Sequence, residues 1–169
     1  MRQLLCILAA VTVAMPAVAA VPTTIIGSRS FAPAPAARTV AVVRPESGSP
    51  EADRALAEGL QAAGLVVVAR EAGPALLVSY VTDVRRLDGL FPNGAHAGQN
   101  FVPASSVNDN YARRATVVAW TAGAPRPTRE SVVWTTSLRS SGLSGDPAQF
   151  LPPMLRDGAR AYGRDLPRG

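Results

Sequence analysis

The sequence contains no lysine, and histidine and cysteine occur once each. A single cysteine permits no internal disulfide, and Cys6 lies in an N-terminal apolar run that export would remove, so the mature chain should hold no thiolate site. One histidine excludes a histidine-rich metal centre. The only oxygen-rich cluster, Asn108-Asp109-Asn110, lacks the downstream acid that a calcium loop needs. No Gly-Lys-Ser ending accompanies Gly94 and Gly98, so phosphate-loop chemistry is excluded as well. No metal and no cofactor are expected. Nucleophilic catalysis lacks its parts in the same way. His96 sits in the glycine-flanked stretch Gly94-Ala95-His96-Ala97-Gly98, and Gly142-Leu143-Ser144-Gly145 lacks the second glycine and leading strand of a nucleophile elbow.

What is present begins with an export signal. Arg2 supplies the positive start, Leu4 to Met15 is a mostly apolar run, and Pro16 breaks it. Ala17-Val18-Ala19 then offers a small-x-small cleavage site, with Ala20 as the alternative. The run is shorter than the roughly 20 apolar residues that span a bilayer. Residues 1–19 therefore read as a signal peptide, and no cysteine follows it to accept lipid. The expected location is the periplasm or cell envelope, in soluble form. With Arg2 removed the net charge falls from +5 to +4, carried entirely by arginine. An exported basic domain does not meet chromosomal DNA, so nucleic acid is not an expected partner. Phosphorylated lipid headgroups, anionic glycans or an acidic protein face are.

Residues 20–37 read as a spacer, ending in the Pro-Ala run Phe31 to Ala37. A single domain is expected over 38–167. Thr39 to Val43 is β-branched and predicts a strand. Ser49-Pro50-Glu51 is a helix start, with a capping serine, proline in the first turn and an acid at the positive end of the dipole. Ala52, Leu56, Leu60 and Ala63 continue at helical spacing, and Gly64 is the stop. Leu65 to Ala69, Leu76 to Arg85, Tyr111 to Thr121 and Ser131 to Arg139 predict four further strands. In the last of these, Val132, Trp134 and Leu138 should share one face, with Val133, Thr135, Ser137 and Arg139 on the other. Asp146-Pro147 opens the last element, where Leu151, Leu155, Ala159 and Tyr162 predict a closing helix whose regular part begins at Pro152-Pro153. The expected fold is α+β: a mostly antiparallel five-stranded sheet with two helices on one face, in the order strand, helix, four strands, helix.

Three segments carry a resemblance. They are Ala52 to Leu65, Pro74-Ala75-Leu76-Leu77-Val78-Ser79-Tyr80, and Val132-Val133-Trp134. In this order they resemble the bacterial domain-of-unknown-function family 4136, over roughly Arg38 to Pro167. The resemblance implies a small envelope α+β module and no known activity. Two features depart from the family pattern. Gly73-Pro74 stands where an acid usually precedes the strand, and the lipid-acceptor cysteine is missing.

Two places could carry function. The loop 88–110 is long for a compact domain, and such loops are often functional, so a hydrolase built on its residues is one reading. The other is a shallow anion site. Arg85-Arg86 ends one strand and Arg113-Arg114 begins the next, so a hairpin would set the two pairs facing one another at the loop's mouth, with about two guanidiniums on each face. Trp120 and Trp134 read either as core or, if exposed, as a stacking platform. The function expected from these features is an exported, non-enzymatic envelope module that binds a partner protein or an anionic component.

Overall fold

The computed structural model describes residues 23–31, 38–87 and 110–166. The signal peptide, the Pro-Ala run over 32–37, His96 and the loop 88–109 lie outside the described residues. Among the described residues, the chain is α+β, with one six-stranded sheet and two α-helices. Strands β1 (Thr24–Ser30), β2 (Thr39–Val42), β3 (Val66–Val67), β4 (Leu76–Leu87), β5 (Asn110–Thr121) and β6 (Val132–Gly142) lie in the order β1-β6-β5-β4-β2-β3. Helices α1 (Pro50–Ala62) and α2 (Pro147–Ala159) complete it.

The sixth strand corrects the expected count of five and comes from the expected spacer. Thr24–Ser30 pairs antiparallel with β6, which would otherwise be an unprotected edge. Ile25 packs against the core, and Ser28 Oγ accepts the Trp134 indole N–H at 2.9 Å. The outer side of β1 is met in turn by the C-terminal segment. Ser28 and Leu166 exchange backbone hydrogen bonds, and the Ser30 N–H donates to Asp165 Oδ1 at 2.7 Å.

β4, β5 and β6 form an antiparallel meander, whereas β2 lies parallel to both β3 and β4. Parallel neighbours need a crossover, and α1 supplies it between β2 and β3. The helix is built as its sequence directs. Ser49 Oγ accepts the Ala52 N–H, Pro50 opens the first turn, and Gly64 follows the C-cap with φ +86°, in the left-handed region where glycine is favoured.

α2 opens at Asp146-Pro147 as expected, but its regular part starts there and not at Pro152-Pro153. Asp146 caps it by accepting the Ala148 N–H at 3.0 Å, so the helix runs from Pro147 straight through Pro152 and Pro153. Two prolines in the second turn forgo two ladder bonds. Burial of Phe150 and Leu151 ahead of them holds that turn in place nonetheless.

Both helices cover one face of the sheet. Leu56 and Leu60 of α1 and Met154 and Leu155 of α2 form a single cluster with Val78, Tyr80, Val117, Trp134 and Leu138. Trp134 is 1% exposed and stacks at a tilt on Tyr162, with ring centroids 5.2 Å apart. Val132 does not join Trp134 and Leu138, contrary to the alternation expected. The β5–β6 register shifts between Ala119, opposite Trp134, and Trp120, opposite Val132. Val133 is the extra residue of this bulge, so Val133 and Trp134 both serve the helix side while Val132 turns to the opposite one.

Candidate functional site

Among the described residues, the second face of the sheet carries no helix. Alternation assigns it the odd residues of β4, the even residues of β5 and the odd residues of β6 from Thr135 onward. One end of this open face is apolar and closed. Trp120 packs with Ala41 and Leu77, is 3% exposed, and donates its indole N–H to the Ala124 carbonyl at 3.1 Å, as the 122–130 connection folds back. Both tryptophans are therefore core, and neither forms a stacking platform.

The opposite end, where β4 and β5 lead into the loop, is charged. Strand register splits the four expected arginines into two pairs on opposite faces. Arg85 and Arg114 lie on the open face, while Arg86 and Arg113 lie on the helix side. They are also offset along the hairpin. Arg85 stands opposite Ala112, Arg86 opposite Tyr111, Arg113 opposite Val84, and Arg114 opposite Asp83. Each face thus receives two guanidiniums, as alternation predicts, but the pairs do not stand directly opposite one another.

Arg113 is a core residue. It is 5% exposed, its Nε donates to the Ser144 carbonyl at 2.8 Å, and its guanidinium lies 4.8 Å from the Phe150 ring centroid. That is a cation–π contact inside the protein, joining β5 to the start of α2. Gly142 makes room for it, since a Cβ there would stand 2.6 Å from the guanidinium. The Gly142 to Gly145 segment thus has a structural task. Ser144 gives its carbonyl to Arg113 and its hydroxyl accepts the Asp146 N–H at 3.1 Å. Arg86 is exposed and has a bonding partner of its own.

The open-face pair gains a member that the hairpin argument missed. Arg139 of β6 lies directly opposite Arg114, so Asp83, Arg114, Arg139 and Thr24 form one row across four strands. Both Arg114 and Arg139 are exposed. Asp83 accepts from the Nε of Arg85 at 3.1 Å, so among the described residues one carboxylate stands in a row beside three guanidiniums. Hydroxyls follow in the next rows, from Thr116, Ser137, Thr135 and Ser79. Arg139 was legible in principle. Its place on the polar side of its strand follows from alternation, and only the register against Arg114 was lacking.

A further polar group joins α1 to the sheet. Asp53 accepts from the Arg44 guanidinium at 2.5 Å and from the Tyr80 hydroxyl at 3.1 Å. Burial, then the Asp53 charge and its hydrogen bond, push the Tyr80 hydroxyl up to about 12. Asp53 likewise raises the Arg44 guanidinium above its ordinary value. A tyrosine that holds its proton so firmly is a clamp and a poor general base.

Among the described residues there is no group of three or more potential metal ligands, and no helix is long and apolar enough to cross a membrane. The loop residues of the hydrolase reading, up to 109, lie outside the described residues. Asn110 starts β5.

No protein-family model and no curated protein matches the chain. Solved structures similar to it include two of the same protein. One is a leucine-to-methionine variant of the PelC dodecamer from Paraburkholderia phytofirmans, 18% identical, with a TM-score of 0.43, covering 80% of this chain and 99% of that one. The other is a PelC dodecamer from the same organism, 15% identical, also with a TM-score of 0.43, covering 82% and 94%.

Proposed function

We propose that this chain is an exported, non-enzymatic module of the cell envelope. It engages an anionic component through the open sheet face around Arg85, Arg114 and Arg139. The observation that carries this reading is the direct cross-strand opposition of Arg114 and Arg139. Like charges facing each other on adjacent strands cost stability, and among the described residues Asp83, already bonded to Arg85, is the carboxylate that stands in their row. An anion laid across the row relieves that repulsion. Guanidiniums hold phosphate or carboxylate through paired donors, so such groups are favoured over chloride. The N-terminal signal supports the envelope address, and the resemblance to family 4136 agrees with it.

The test is thermal melting of wild type and the Arg114→Gln/Arg139→Gln double variant at low salt, with and without polyphosphate. Wild type should gain melting temperature from the polyanion, the variant much less, and added salt should erase the difference. Equal gains in both would show that these arginines are ordinary solvated surface.

A further inference from the structure

The same face carries apolar side chains where none is needed for folding. Val81 is 68% exposed and Leu87 49%, both on the open face by strand alternation. Leu143, 68% exposed, follows directly on Gly142, which pairs with Tyr111 at the same end of the sheet. Val81 and Leu87 thus flank Asp83 and Arg85 on the open face, and Leu143 stands just beyond the end of β6, the strand that carries Arg139. Exposed apolar groups rimmed by charge mark a surface that meets something. A glycan has nothing to offer Leu87 or Leu143. A bilayer has both parts: phosphate for the guanidiniums and acyl chains for the leucines.

The place where the chain enters the domain points the same way. Thr24, the first residue of β1, pairs with Arg139 in the charged row. Met15, the last residue of the apolar export run, is nine positions earlier. At no more than about 3.5 Å per residue, that stretch keeps this end of the sheet within roughly 30 Å of the export run. Until the signal is cleaved, this end of the sheet therefore stays close to the bilayer that holds the export run.

From this juxtaposition, the geometry points to a reversible membrane-docking surface. The charged end of the open sheet face lies against an anionic lipid leaflet, with Leu87 and Leu143 entering the interface beside arginine-bound phosphates. This inference rests on the anion-binding reading and names its ligand.

Vesicle flotation tests it, using the exported protein with its N-terminus read by sequencing. The vesicles are phosphatidylcholine alone or mixed with phosphatidylglycerol. Wild type should float with the anionic vesicles and not with the neutral ones. Leu87→Asp and Leu143→Asp should each weaken flotation about ten-fold or more, because a full leucine insertion is lost. Arg114→Gln/Arg139→Gln should weaken it about 30-fold, at about five-fold per arginine near an anionic leaflet. All these residues are exposed, so melting temperatures no lower than that of wild type verify the fold. Equal flotation with both vesicle types would overturn the proposal, as would leucine variants that float like wild type. If polyphosphate still stabilises wild type while vesicles do not bind, docking fails and the anion-binding reading survives, with a glycan or an acidic protein as its ligand. If neither binds, both fail.

Discussion

The two faces of the sheet use the same residue type in opposite ways. Arg113 and Arg114 are neighbours in β5, yet one is 5% exposed beneath α2 and the other projects from the open face. On the helix side a guanidinium is held by a carbonyl and an aromatic ring and acts as a fastener. On the open side its counterpart faces another arginine across the strand gap. Composition counts both as basic residues. Burial alone decides which of them can bind anything.

The largest effect should come from the centre of the covered face. Trp134→Ala should cost about 3–5 kcal/mol in denaturant unfolding, because it empties a site closed by β1, α2 and Tyr162. It also leaves the Ser28 hydroxyl without its donor. A change below about half a kcal/mol would mean that the two faces had been assigned the wrong way round.

The arginine comparison can then be broken directly. Arg113→Ala should lose about 1.5–3 kcal/mol, the value of a hydrogen bond made by a charged group, together with its contact on Phe150. Arg114→Ala should stay within about half a kcal/mol of wild type. Equal costs for the two would remove the distinction between fastener and surface. Chemical denaturation of both variants in one buffer decides it.

Most of the covered face was readable from sequence. Ser49-Pro50-Glu51 and Gly64 bracket α1 because capping and dipole effects act within a few residues. The apolar alternation of Leu76, Val78 and Tyr80 marks the buried side of β4 for the same local reason. What escaped depends on contacts distant in the chain. β1 was hidden in an apparent spacer because its partner, β6, lies more than a hundred residues away. Val132 changed sides because of a bulge that no periodicity announces. Arg113 looks like any surface arginine until Phe150 and Ser144 are placed beside it. Arg139 lay on the expected polar side of its strand, and its meaning appeared only with the register against Arg114.

Where α1 meets the covered face, alkaline pH gives a smaller, graded effect. The Tyr80 hydroxyl is raised in the folded state from 10.0 to about 12 by burial and by Asp53. The unfolded chain therefore loses this proton first. Stability from this group is complete below about pH 10 and falls as pH rises towards 12, since the folded state then binds more protons than the unfolded one. Tyr80→Phe should flatten that part of the pH profile while lowering stability at neutral pH through the lost bond to Asp53. Thermal melting of both proteins across this window, with an unchanged alkaline slope in the variant, would assign the effect elsewhere.

The smallest expected effect has the opposite sign and belongs to the open face. Arg139→Thr replaces one of two facing guanidiniums with a β-branched residue suited to a strand, in a row that already contains Thr24. Removing a like-charge cross-strand pair should raise stability by about 0.2–1 kcal/mol at low ionic strength. Salt screens the repulsion in wild type, because the two side chains are exposed and the screening length shortens to about 8 Å near physiological ionic strength. Wild type should therefore melt higher as salt is added and approach the variant, whose own melting temperature should respond less. The two curves converge if the opposition of Arg114 and Arg139 is a real cost in the free protein. Parallel curves would mean that Asp83 and water already neutralise the row, and the open face would then have no unmet charge to offer a ligand.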